Sequence, residues 1–126
     1  MNINELYDNR LRELKRVSYD DLSSVFIQHG IIHCFIEAYD LSMELFRESL
    51  QSEPVEMGVL EVLSLTPKEL LMTVYDSYAF MNEIIWLDMY RERYYPDFSE
   101  PVYERASRIV KQYLPELLLL QNKLYP

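Results

Sequence analysis

Glycine and cysteine are nearly absent from this 126-residue chain, which holds two of the first and one of the second. Backbone that must adopt positive φ falls mostly to glycine. So small a supply argues against a turn-rich β-sandwich and against a glycine loop that cradles phosphate. The lone Cys34 permits no internal disulfide, which suits a reducing compartment. Basic residues are also scarce, 12 against 21 acidic ones, for a net charge of −9. Nucleic-acid binding draws on Lys and Arg to neutralise phosphates, so the overall field argues against nucleic acid as a partner. No apolar run is longer than Leu117–Leu120, far short of what crosses a bilayer. The opening Met1–Leu6 is acidic and lacks the basic and apolar stretches of a signal peptide. A cytoplasmic protein with no membrane contact is expected.

What the chain does have is apolar residues, 49 % of the total, enough at this length for one core. A single helical-bundle domain over residues 1–126 is expected. Ile3–Arg16 reads as a first helix, with Leu6, Arg10, Leu14 and Val17 near one face. Ser18, Tyr19, Asp20 and Asp21 offer caps for a long second helix reaching about Gln51. Along it, Leu22, Val25, His29, Ile32, Ile36, Tyr39, Met43, Phe46 and Leu50 alternate by threes and fours, the spacing of a heptad seam. Ile27, Ile31, Phe35 and Leu45 widen that surface. Gly30 within it costs about 1 kcal/mol relative to Ala, a loss that a closely approaching helix would offset.

Ser52–Leu65, with Pro54 and Gly58, reads as the longest connection, with a short helical turn in Val59–Leu65. Thr66-Pro67-Lys68-Glu69 is a capping box with Pro at the first helical position. Leu70, Leu71, Val74, Tyr75 and Tyr78 follow at helical spacing. After a break near Phe80, a further helix runs from about Asn82 to Tyr94, its Ile84-Ile85-Trp86-Leu87 reading as buried all round. Tyr94–Phe98 is a loop, since Pro96 disfavours helix before it. Ser99 is placed to cap a last helix with Pro101 in its first turn, and Pro115 should kink that helix. No strand is expected. The architecture is an all-α, up-and-down bundle of four to five helices.

Few residues suggest chemistry. His29, His33 and Glu37 share one helical stripe, as three metal ligands would. One helix rarely completes such a site and the chain has no other His. His29 is expected to be a buried or interfacial structural residue, and neither a metal nor a cofactor is expected. Cys34 reads as a small core residue, because neighbouring His33 points about 100° away. No pair of carboxylates stands out as an acid–base couple, and no catalytic residue is assigned. Asp88, Arg91, Glu92 and Arg93 cluster before Tyr94 and Tyr95. A solvated helix end explains this cluster most simply. Arg91 and Arg93 nevertheless bring positive charge to an acidic protein, and Tyr94 and Tyr95 add area suited to half-wet interfaces. Asp88, Arg91, Arg93, Tyr94 and Tyr95 are therefore the candidate ligand- or partner-binding residues.

Three stretches carry a family resemblance: Ile31–Leu50 (IIHCFIEAYDLSMELFRESL), Thr66–Phe80 (TPKELLMTVYDSYAF) and Trp86–Arg93 (WLDMYRER), followed by a closing helix with Tyr113-Leu114-Pro115. In order and spacing the chain, from about Glu5 to Leu124, resembles the nucleotidyltransferase substrate-binding proteins of the HEPN superfamily. The resemblance implies a HEPN-like helical bundle that forms a homodimer. It also implies pairing with a separate minimal nucleotidyltransferase, whose substrate the helical subunit helps to bind, a nucleotide being one candidate ligand. In related toxin–antitoxin pairs the helical protein is a ribonuclease, and its antitoxin attaches AMP to a nearby tyrosine. Their motif is an Arg, four to six residues, then a His. Arg93 matches that Arg, but Tyr94–Glu100 contains no His. Tyr and Arg both stay protonated near neutral pH and replace His poorly as a proton carrier. The expectation is a non-enzymatic binding subunit, with a ribonuclease toxin or its degenerate descendant as the alternative.

Overall fold

The computed structural model describes residues 2–18 and 21–124. It is an all-α helical bundle, with no strand among the described residues. Helix α1 spans Ile3–Val17, α2 Val25–Gln51, α3 Val59–Leu63, α4 Pro67–Ser77 and α5 Glu83–Tyr94. The chain closes with α6, Val102–Arg108, a π-helical turn over Ile109–Tyr113, and α7, Leu114–Leu124. No described helix is long and apolar enough to cross a membrane.

Local chemistry explains most of the boundaries. The Asn2 side chain accepts from the backbone N–H of Glu5 at 2.8 Å and starts α1. Thr66 and Glu69 close their reciprocal capping box at 3.2 and 3.0 Å and start α4. Asn82 accepts from the N–H of Ile85 at the head of α5. The cap of α2 lies later than expected. Ser24 occupies it, while Asp21 bonds the backbone and hydroxyl of Ser23 and Ser18 closes the end of α1, its hydroxyl donating to the carbonyl of Lys15; the other candidates, Tyr19 and Asp20, lie outside the described residues. Ser99 does not cap α6 either, because its N–H and hydroxyl both turn back to Asp97, and Pro101 holds the cap position.

Pro115 is absorbed as the π turn. Proline has no N–H and its ring collides with the carbonyl four residues back. Widening the preceding turn moves that carbonyl away: the N–H of Leu114 bonds the carbonyl of Ile109, five residues earlier.

Helix α2 is the axis of the bundle and packs against every other helix. Its middle and C-terminal half supply Phe35, Ala38, Tyr39, Leu45, Phe46 and Leu50, all fully buried. Trp86 of α5 sits against Phe46 and Tyr113 against Phe35, with ring centroids 5.4 and 5.2 Å apart. Burial of such rings supplies much of a core's stabilisation. The Tyr7 hydroxyl donates to the carbonyl of Leu117 at 2.7 Å and ties α1 to α7.

Burial corrects several sequence expectations. The inward face of α1 is Tyr7, Leu11 and Leu14; of the expected stripe Leu14 is buried, while Leu6, Arg10 and Val17 are half-buried. The seam of α2 is buried at Ile32, Tyr39, Met43, Phe46 and Leu50 and half-buried at Leu22 and Ile36; Val25 and His29 are exposed, as is Phe26 beside them. A Cβ built on Gly30 would meet nothing within 4 Å, so none of the described helices packs closely on that side of it. In the Ile84–Leu87 run only Trp86 is buried, and Ile84 is 80 % exposed.

Candidate functional site

Helix α5 divides the five candidate residues between two clefts. Asp88, Arg91 and Tyr95 line one of about 230 Å³, together with Glu92, Asp97, Glu100, Arg108 and Tyr113. Arg93 and Tyr94 turn away into another of about 300 Å³, bounded by Asp40, Glu44 and Arg47 of α2. Residues adjacent in sequence project about 100° apart on a helix, so this run cannot gather on one face.

The first cleft is an ionic network. Glu92 is buried, not part of a solvated helix end, and accepts from Arg105 Nε and Arg108 Nη2, each at 3.1 Å. Arg108 also grips Glu100 with two bonds of 2.7 and 2.6 Å and donates from Nε to the Tyr113 hydroxyl at 3.1 Å. That hydroxyl in turn donates to Asp88 Oδ2 at 2.6 Å. Arg108 and Tyr113 thus answer the like-charge pairing of Asp88 with Glu92. Hydrogen bonding to Arg108 pulls Glu100 below the usual carboxylate range, while burial pushes the Tyr113 phenol far up. Four of the lining residues are carboxylates against two arginines, so the cleft repels an anionic ligand. Among the described residues no group of His, Cys, Asp and Glu is placed to hold a metal ion.

In the second cleft Arg93 is already engaged. Its Nε and Nη2 donate to the two carboxylate oxygens of Asp40 at 2.9 and 3.0 Å, the two-point geometry that guanidinium also uses for phosphate. The Tyr94 ring lies 5.1 Å from the Arg93 guanidinium and meets Tyr39 edge-on. His33 instead bonds Glu37 at 2.7 Å, and Arg10 holds the same carboxylate. By helix rise His33 lies about 10 Å along α2 from Asp40, outside direct reach of the Arg93 pair. Cys34 is half-buried, and that burial raises its thiol pKa.

Asp40, Arg105, Arg108 and Tyr113 are the site residues that sequence reasoning missed. Asp40 precedes Arg93 by 53 positions, and no local pattern links them. Comparison with family models, characterised proteins and solved structures found no match.

The third surface faces outward between α4 and α5. It is an apolar groove of about 570 Å³, which Arg91 and Tyr95 also border. Two of the five candidate residues therefore stand on the ridge between the ionic cleft and this groove.

Proposed function

We propose that this chain is a non-catalytic helical binding subunit that dimerises and pairs with a small minimal nucleotidyltransferase, helping to form that enzyme's substrate site. The observation that carries the reading is the apolar surface left in water. Phe26, Leu60, Ile84 and Phe98 are each at least 80 % exposed, and Val25, Val59, Leu63 and Met72 each more than half. They fall on separate elements: the start of α2, the outer face of α3, the α4–α5 groove and the loop after α5. Clustered exposed apolar residues mark interaction surfaces, and several such surfaces fit a subunit with more than one protein neighbour.

The sequence resemblance supplies the identity of the neighbour. The occupation of Arg93 by Asp40 weighs against ribonuclease chemistry at that position. Dimerisation through the open start of α2 would cover Phe26 and bring a second backbone against Gly30.

The test is co-expression with any small nucleotidyltransferase encoded in the adjacent reading frame. Co-purification and a saturable calorimetric titration are expected, with sedimentation of the free chain at twice its 15.2 kDa mass. A chain that stays monomeric at micromolar concentration and ignores that enzyme overturns the reading. Cleavage of RNA by the pure protein, lost on Arg93→Ala, restores the ribonuclease alternative.

A further inference from the structure

The groove between α4 and α5 is built from two helical ridges. From α4 come Lys68, Leu71, Met72 and Tyr75, spaced i, i+3, i+4 and i+7, one face of a helix. From α5 come Ile84, Leu87 and Arg91 at the same kind of spacing. The two helices run in opposite directions. The Tyr75 hydroxyl at the end of α4 bonds the carbonyl of Glu83 at the start of α5, and Lys68 at the start of α4 shares the groove with Arg91 near the end of α5.

That pairing gives the groove a polarity. Lys68 and Arg91 stand at one end and Glu83 at the other, all three exposed. Among the described residues none of them makes an ion pair. The floor between them is apolar, with Leu71 buried and Met72 and Ile84 rising into solvent at 56 % and 80 % exposure. At 1.5 Å per residue, α4 gives a trough about 16 Å long, close to three helical turns.

We infer that this groove docks an amphipathic α-helix of a partner protein, with acidic side chains at its C-terminal end seated between Lys68 and Arg91 and basic ones at its N-terminal end beside Glu83. Two parallel ridges with an apolar floor are the setting in which a helix lays down its apolar face. The fixed charges set its direction, because the partial negative charge of a helix C-terminus adds to the acidic side chains there. The inference rests on the proposed pairing with a second protein and names the surface and the partner segment.

The experiment uses the full chain and two probes. One is a dye-labelled helical peptide of about 12 residues, matched to the length of the trough, with a leucine face, two Lys in the first turn and two Glu in the last; its control carries Gln at those four positions. The other probe is the neighbouring nucleotidyltransferase itself. Anisotropy should show the charged peptide binding the parent and about tenfold more weakly to Ile84→Glu, a substitution at an exposed position that leaves the core intact. The double reversal Lys68→Glu with Arg91→Glu should weaken the charged peptide about as much and leave the Gln peptide unmoved. Circular dichroism checks the fold of each variant. Loss of nucleotidyltransferase binding by the same variants, with hydrogen-exchange protection over 71–75 and 84–90, supports the inference. It is overturned if neither peptide binds the parent, or if Ile84→Glu and the charge reversal leave peptide binding unchanged. It is also overturned if Ile84→Glu splits a homodimer, which assigns the groove to a second copy. Should the enzyme bind parent and variants alike, docking falls while the pairing stands; should it bind none, the pairing falls and the peptide result decides docking alone.

Discussion

Glu92 and Arg93 are neighbours in sequence with opposite circumstances. The Glu92 carboxylate is 3 % exposed and held by two arginines. Removing one member of a buried ionic group strands the others without compensation, at a typical cost of about 3 kcal/mol or more. Glu92→Ala is therefore expected to lower unfolding stability by about 3 kcal/mol, read from urea denaturation followed by circular dichroism. The Arg93–Asp40 pair keeps 30 % and 45 % of its side chains exposed, and water screens such pairs to about 1 kcal/mol or less. Arg93→Ala should cost no more than that in the same titration. Equal losses for the two variants would show that the buried network is not what the geometry describes. Sequence separated neither case: a carboxylate flanked by arginines reads as solvated until Arg105 and Arg108 arrive from another helix.

At the scale of the element, α2 shows how far periodicity reaches. Its three-four spacing predicts a helix to about Gln51, and the helix ends there. The same spacing assigns inside and outside poorly at the N-terminal end. There, the seam residues Val25 and His29 stay exposed, because a heptad pattern cannot say which helix fills it. Gly30 is the informative position. With open space around its missing Cβ, Gly30→Ala should stabilise the monomer by about 1 kcal/mol through helix propensity. A thermal melt at low concentration checks this, and a drop in midpoint would mean that something packs on the glycine. The cap of α4 was legible outright, since Thr66 and Glu69 meet within one turn. Thr66→Ala should cost about 1 kcal/mol, measured by denaturant titration.

At the scale of the whole molecule, the acidic excess is partly tied into the fold. Arg108 joins α6 to Glu92 of α5 and to Glu100 of the intervening loop. Because Glu100 holds its proton less tightly folded than unfolded, the unfolded chain takes up more protons as the pH falls through the carboxylate range. The contribution of Glu100 is therefore complete above its ordinary value of 4.5 and is lost as the pH drops through its lower folded value. Glu100→Gln should flatten the acid side of a stability–pH curve while lowering the plateau at neutral pH. An unchanged slope between about pH 5 and pH 3 would remove Glu100 from the acid response.

Composition and periodicity alone determined that this chain is helical, with a central helix of about eight turns, a capped α4 and a distorted turn before Pro115. Those features follow from interactions within a few residues: caps, ring geometry and the 3.6-residue repeat. Tertiary structure alone decided which faces are buried, that Asp40 occupies Arg93, and that the Asp88–Tyr95 run serves two clefts and a groove. Such outcomes depend on partners tens of residues away, brought within about 3 Å by packing, and nothing in a local pattern records that approach.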